Sequence, residues 1–234
     1  MIQGKTVLAV IPARGGSKGV PRKNIRVLAG KTLLEWTWRA AQGSRFLDRT
    51  ILSSEDAEII ATMRSFGGEV PFVRPAELAQ DTTPGIEPLL HALRAIPETY
   101  DLVVLLQPTC PLRTSADIDG AIQECVDRNA PACVSVGPVE KSPHWIFQLD
   151  AVSRLVPLLP DADLTSRRQD LPDYVSLNGA VYVARPDWII RTRRFETPET
   201  VAFRMSRENS VDIDDEIDLL VCQELLRRRL GVAT

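Results

Sequence analysis

Residues 102–106, LVVLL, limit the possible folds more than any other stretch of this chain. Five apolar residues in a row, without alternation, form a strand covered on both faces. Residues 7–11 form a second run of this kind, closed by Pro12. Such strands lie inside a sheet with helices on either side, and the intervening segments have helical length and pattern. Residues 33–41, 56–66, 86–96 and 115–128 read as helices, with Gly67 and Gly68 stopping the second and Ser115 capping the fourth. Residues 50–53, 70–73, 132–136, 175–183 and 201–205 read as further strands. Pro186 opens a short helix. Residues 215–230 form the last one, with acids at its start and Arg227, Arg228 and Arg229 at its end, as the helix dipole favours. Strands alternating with helices predict an α/β fold with a Rossmann-like, mostly parallel, doubly wound sheet.

The length of 234 residues suits a single domain spanning 1–234. Within it, residues 138–174 break the pattern. Pro138, Pro143, Pro157, Pro160 and Pro172 interrupt short apolar pieces, which predicts an excursion from the core that packs against a partner chain. The net charge of -3 leaves no general basic footprint for nucleic acid. Cys110, Cys125, Cys133 and Cys222 include no C-x-x-C pair, so neither zinc nor a redox dithiol is indicated. The N-terminus lacks a long apolar leader, and no apolar run reaches the length of a membrane helix. The expectation is a cytoplasmic protein with reduced thiols.

Positive charge is concentrated locally. IPARGGSKGVPRKN, residues 11–24, follows the first strand. No acidic residue occurs before Glu35, so Arg14, Lys18, Arg22, Lys23 and Arg26 have no counter-charge nearby in sequence. A cationic, glycine-bearing loop after a strand suits a polyphosphate, although a solvated basic loop would look similar. The pattern is neither the P-loop nor the dinucleotide glycine fingerprint. One cation at about 4 Å contributes roughly 4 kcal/mol at an effective dielectric of about 20, so a triphosphate needs several cations and a metal ion.

Asp212 and Asp214 can supply the metal site. Two apart in SVDIDDEIDLL, they share a face if 211–213 is extended. Two oxygen ligands with open positions suit Mg²⁺ bridging phosphates. Asp215, Glu216 and Asp218 read instead as acids of a first helical turn. Beyond LVVLL, Gln107, Thr109 and Arg113 sit at the carboxyl end of the strand, where donors face a ligand, or where a rigid connecting loop would run. In RRQDLPDYVSLNGAVY, Arg168 can pair a carboxylate two-pronged, and Asn178 and Gly179 can bring amides to sugar hydroxyls; an arm ending in a turn is the competing reading. Arg74 in VRPAEL can touch a base or a ribose. His91 reads as structural, and Cys110 has no base beside it in sequence.

Taken together, ARGGSKGVPRKN, RPAELAQDT, LLQPTCPLR, RRQDLPDYVSLNGAVY and SVDIDDEIDL resemble the acylneuraminate cytidylyltransferases, or CMP-sialic acid synthetases, with their legionaminic and pseudaminic relatives. The motifs are similar in order and spacing over essentially the whole chain. The resemblance implies the nucleotide-diphospho-sugar transferase type of sheet and a homodimer made through a protruding segment. It implies transfer of CMP from CTP to a sialic-acid-like sugar acid, with pyrophosphate released and Mg²⁺ as cofactor. It further implies that Arg14, Ser17, Lys18, Lys23 and Asn24 hold the triphosphate and nucleotide, with Arg74 and Asp81 near the cytidine. Gln107, Arg168, Asn178 and Tyr182 would contact the sugar acid, Asp212 and Asp214 would hold the metal, and Arg14 and Lys23 would act as catalytic cations. In KSPHWIF, Trp145 stands where the sialic-acid enzymes tend to carry a lysine, an aromatic face better suited to legionaminic or pseudaminic acid. Two other readings are activation of an eight-carbon keto acid and a nucleotide-sugar binding protein without turnover.

Overall fold

The structure, a computed structural model, describes residues 1–17, 19–161, 164–165 and 167–231. In chain order the strands are β1 (Val7–Pro12), β2 (Val27–Leu28), β3 (Lys31–Thr32), β4 (Arg49–Ser53), β5 (Leu102–Leu105), β6 (Ala132–Pro138), β7 (Phe147–Leu149), β8 (Leu155–Pro157), β9 (Val175–Ala184) and β10 (Val201–Arg204). The helices are α1 (Leu33–Gln42), α2 (Ala57–Ser65), α3 (Glu87–Ala95), α4 (Ser115–Asp127), α5 (Pro186–Thr192) and α6 (Glu216–Leu230).

Six strands form the main sheet in the order β10-β6-β9-β5-β1-β4. The expected mostly parallel arrangement holds: β1 is parallel to β4 and β5, and β6 is parallel to β10. The exception is β9, which runs antiparallel between β5 and β6. The two apolar runs are buried on both faces. Val7, Ala9 and Ile11 join one core with Leu34, Ile59, Met63 and Ile118, while Leu8 and Val10 join another with Leu89, Trp188 and Ile189. Each buried Val, Leu or Ile side chain contributes roughly 1.5–3 kcal/mol on burial, which is why these runs anchor the fold. A third cluster seats α6 against the loops above the sheet, through Val20, Leu112, Ile213, Leu219 and Leu226.

Two expectations need correction. Residues 70–73 are not a strand. Glu69 makes one bridge to Ile51, and Pro71 then has no N–H for a ladder. The cap of α4 is Thr114 rather than Ser115, in a reciprocal box with Asp117. The excursion contains a hairpin, β7 with β8, that forms its own two-stranded sheet. It displays Leu149, Val152 and Leu155 to solvent.

Candidate active site

A cavity of about 460 Å³ opens above the carboxyl ends of β1 and β5. Its walls come from four segments apart in sequence: the loop after β1, residues 74–88 leading into α3, the turn after β5 and the stretch before α6.

The loop after β1 is tied down by acids from elsewhere. The Gly15 N–H donates to Glu55 Oε1 at 2.7 Å, and Arg74 Nη2 donates to Glu55 Oε2 at 2.6 Å. Arg22 holds Asp56 with two nitrogens, at 2.7 and 3.2 Å, and also reaches Glu58. That guanidinium keeps the Asp56 carboxyl below the usual carboxylate range, helped by the helix-capping amides of Ile59 and Glu58. Arg14 faces Asp81 at 2.8 Å. Lys23 donates to the Ile213 carbonyl and lies 3.4 Å from Asp214. The loop that looked uncompensated in sequence is therefore a row of ion pairs. Glu55 and Asp56 went unread as loop partners, and their only signal was a pair of acids directly after the neighbouring strand.

Gly19 allows the closest approach. A Cβ there would lie 2.1 Å from the Asp214 carbonyl oxygen, so the loop and the acidic segment touch backbone to backbone. That segment is held by the Ile213 N–H, which donates to Thr109 O at 2.9 Å, and by the Asp214 N–H, which donates to Asp218 Oδ2 at 2.9 Å. Ile213 is buried, and Asp212 and Asp214 both face the cavity, as their spacing predicts. Burial pushes the Asp212 carboxyl up, and the Asp214 charge adds to this. A half-buried carboxylate beside an exposed one is an under-compensated anionic pair. Its oxygen donors suit a hard divalent cation that completes its shell with water and phosphate oxygens. Among the described residues no group of three or more His, Cys, Asp or Glu is arranged to hold a metal ion.

The turn after β5 brings Gln107 and Thr109 to the cavity wall. Arg113 turns inward instead, and Cys110 is buried against Asn178 O at 3.3 Å and Asp212 Oδ1 at 3.6 Å. Burial pushes the Cys110 thiol up, which agrees with its exclusion as a nucleophile.

The predicted site residues divide accordingly. Arg14, Ser17, Lys23, Asn24, Arg74, Asp81, Gln107, Asp212 and Asp214 all line the one cavity. Lys18 lies outside the described residues. Asn24 is buried and donates to the Arg14 carbonyl at 2.9 Å, so it also shapes the loop. Arg74 is buried, and its guanidinium is committed to Glu55 and the Ala13 carbonyl, which makes it a strut under the loop as well as a wall.

Three of the four expected sugar contacts are not in the wall. Asn178 is buried: its Oδ1 accepts from Ser135 Oγ at 2.6 Å and from Ala180 N, and its Nδ2 donates to Ser210 Oγ at 3.0 Å. The reason is a register shift in β9, where pairing jumps from Val134↔Tyr182 to Val136↔Leu177. The residues between bulge out, Ser135 and Asn178 fill the gap, and Gly179 turns through a positive φ of 71°. Tyr182 packs on Phe195 at 5.0 Å between ring centroids, and burial pushes its hydroxyl up to about 12. Arg168 is exposed in the excursion and donates to the Val139 carbonyl at 3.2 Å.

Comparison with known proteins gives a consistent picture. A family described as Cytidylyltransferase matches residues 8–205. The chain is 35% identical over 224 residues to the CMP-N,N'-diacetyllegionaminic acid synthase of Legionella pneumophila, covering 94% of this chain and 96% of that one. It is 35% identical to the N-acylneuraminate cytidylyltransferase of Escherichia coli, over 91% of this chain and 50% of that longer relative. It is 31% identical to the pseudaminic acid cytidylyltransferase of Campylobacter jejuni, over 91% and 92%. In fold it is similar to a CMP:2-keto-3-deoxy-manno-octonic acid synthetase solved with CTP. The TM-score is 0.73 at 16% identity, covering 96% of this chain and 99% of that one.

Proposed function

The chain belongs to the cytidylyltransferase family, and we propose that it transfers CMP from CTP to the anomeric hydroxyl of a nine-carbon, sialic-acid-like 2-keto sugar acid, releasing pyrophosphate. The observation that carries this reading is the meeting of Arg14 and Lys23 with Asp212 and Asp214 around one cavity that also exposes Gln107. Cations from one end of the chain and carboxylates from the other enclose a space suited to a triphosphate. Relatives named for legionaminic, neuraminic and pseudaminic acids support the substrate class.

The chain's own residues do the following. Arg14 and Lys23 exchange their carboxylate partners for phosphate oxygens and offset charge on the transferring and leaving groups. Ser17 and Asn24 hold the loop around the nucleotide, and Lys18, in the same loop, adds a cation. Arg74, through Glu55, keeps the Gly15 amide in place, and Asp81 lies where the cytidine enters. Gln107 presents its amide to the sugar acid from the turn after β5. Asp212 and Asp214 would hold Mg²⁺, which would supply polarisation of the phosphate oxygens. Reaction then rests on positioning two substrates in line.

The excursion supports a homodimer. Leu149, Val152 and Leu155 present an apolar face on a hairpin outside the main sheet, and such faces mark protein contacts. Arg168 stands on this arm, away from its own cavity, and in a dimer it would bring its guanidinium to the partner's sugar acid. Among the described residues no helix is long and apolar enough to cross a membrane. All four cysteines are free thiols, which fits a cytoplasmic reaction.

The test is pyrophosphate release from CTP and Mg²⁺ with a panel of neuraminic, legionaminic and pseudaminic acids. Release with at least one of them is expected. CTP binding without release with any of them, or with the eight-carbon keto acid tested alongside, would refute the reading in favour of a binding protein. Release only with the eight-carbon keto acid would move the substrate class.

A further inference from the structure

Arg113 is the least explained charge in the molecule. It is 3% exposed, directly beneath the turn after β5. Its Nη1 donates to two carbonyls, Gln107 O at 3.0 Å and Ala180 O at 2.7 Å. Its Nε and Nη2 are buried without a hydrogen-bond partner among the described residues. Asp117 and Asp212 are the nearby carboxylates that favour its charge. Burial still lowers its pKa to about 10, so it is a cation at neutral pH.

A fold gains little stability from such a group. An apolar side chain of similar volume usually serves a core as well as a buried charge, and buried unpaired N–H groups are unfavourable. What Arg113 does supply is geometry. The two carbonyls it joins lie on either side of the site: one belongs to Gln107, the other to the residue after Gly179. A Cβ on Gly179 would meet Gln107 Oε1 at 3.4 Å and Asp212 Oδ2 at 3.2 Å. The Gln107 amide, the β9 bulge and Asp212 therefore converge beside the two carbonyls that Arg113 holds. Without the clamp, the turn carrying Gln107 is free to separate from β9.

We propose that Arg113 is a positioning residue for the acceptor sugar, acting through Gln107 by locking the turn after β5 to the bulge in β9. This rests on the CMP-transfer reading above. Both carbonyls are reached from the single nitrogen Nη1, at the end of a rigid guanidinium. A lysine keeps the charge and the donors but not this fixed planar approach. The proposed nucleotide contacts on the loop after β1, and Arg74 and Asp81, are not among its hydrogen-bond partners.

The test is a double-mutant cycle. Arg113→Met, Arg113→Lys, Gln107→Ala and the Arg113→Met/Gln107→Ala double variant are compared with the native chain. KM is measured separately for CTP and for the best acceptor acid, with circular dichroism as the check on folding. Arg113→Met is expected to raise the acceptor KM by about ten- to a hundredfold while leaving the CTP KM within about twofold. Arg113→Lys should recover part of the loss, and the double variant should be no worse than Gln107→Ala alone. If Arg113→Met does not fold, Arg113→Lys reads the same split between the two KM values. Equal effects on both KM values, or simple additivity with Gln107→Ala in an active native enzyme, would overturn the role of Arg113 alone. Absence of turnover in the native chain would overturn the CMP-transfer reading, and this inference with it.

Discussion

Gly19→Ala is the sharpest perturbation the site offers. The added methyl would stand 2.1 Å from the Asp214 carbonyl oxygen, whereas ordinary contact begins at 3.4 Å. The neighbour is backbone, not the end of a flexible side chain. It is also held on both sides, by the Ile213 N–H to Thr109 O and the Asp214 N–H to Asp218 Oδ2. The loop and the acidic segment must therefore move apart by about 1 Å, a typical overpacking strain of about 1–3 kcal/mol. The catalytic effect should be larger than the effect on stability, because this contact sets the distance between Lys23 and the Asp212–Asp214 pair. A misplacement of about 1 Å costs on the order of 100-fold in rate. Gly16→Ala is the control: it sits in the same loop and has nothing within 4 Å of its added Cβ. Steady-state pyrophosphate release at saturating acceptor would read kcat/KM for CTP in both variants. Gly16→Ala should match the native chain within about twofold, and Gly19→Ala should fall by about 100-fold. Equal activity in the two would show that the loop and the acidic segment do not work at a fixed distance.

Asp214→Asn should lower turnover by at least about 100-fold across a Mg²⁺ titration and leave the thermal midpoint nearly unchanged, because the side chain is 84% exposed and its one ion pair, with Lys23, is worth only about 0–1 kcal/mol; near-native activity would reject its metal role. Arg168→Ala should raise the acceptor KM more than the CTP KM. Mixing that variant with inactive Asp214→Asn should restore part of the activity if Arg168 serves the partner's site, and restore none if it serves its own. Arg22→Gln should destabilise the fold at pH 7 by about 1 kcal/mol or less, read by urea unfolding. Because Arg22 depresses the Asp56 pKa, that contribution is present above the ordinary carboxylate pKa of about 4 and is lost as pH falls through the lower folded-state value. The gap between native and variant should therefore narrow as pH falls below about 4 and close once Asp56 is protonated in the folded state.

What could be read from the sequence follows from how far each signal extends along the chain. Val7 to Ile11 and Leu102 to Leu105 were legible because burial on both faces leaves an unbroken apolar run. Asp212 and Asp214 were legible because one buried residue, Ile213, separates them. The 70–73 strand was misread because the apolar pattern there outweighed Pro71. Asn178 looked like a ligand contact because a bulge that needs Ser135, more than forty residues away, has no local signature. Tyr182, in a strand that packs into a core on each face, could have pointed either way, and only its register opposite Leu105 and Val134 turns it onto Phe195.

The same difference in range explains the charge of the loop after β1. Over 34 residues the sequence holds seven basic residues and no acid, yet Arg14, Arg22, Lys23 and Arg26 each meet a carboxylate from another part of the chain. The Arg14–Asp81 and Lys23–Asp214 pairs border the cavity with at least one partner well exposed, so each contributes only about 0–1 kcal/mol. Releasing them for a polyphosphate therefore costs little. The pairs still have a consequence for binding: they hold two long, rotamer-rich side chains at the cavity edge before any ligand arrives, which lowers the ordering cost of association by about 0.5–1.5 kcal/mol per side chain. Arg22 is of a different kind. Its two-pronged hold on Asp56, the cap of α2, fixes the loop to the fold and leaves that guanidinium out of the cavity. One basic loop thus contains a structural cation beside exchangeable ones, and only the tertiary partners tell them apart.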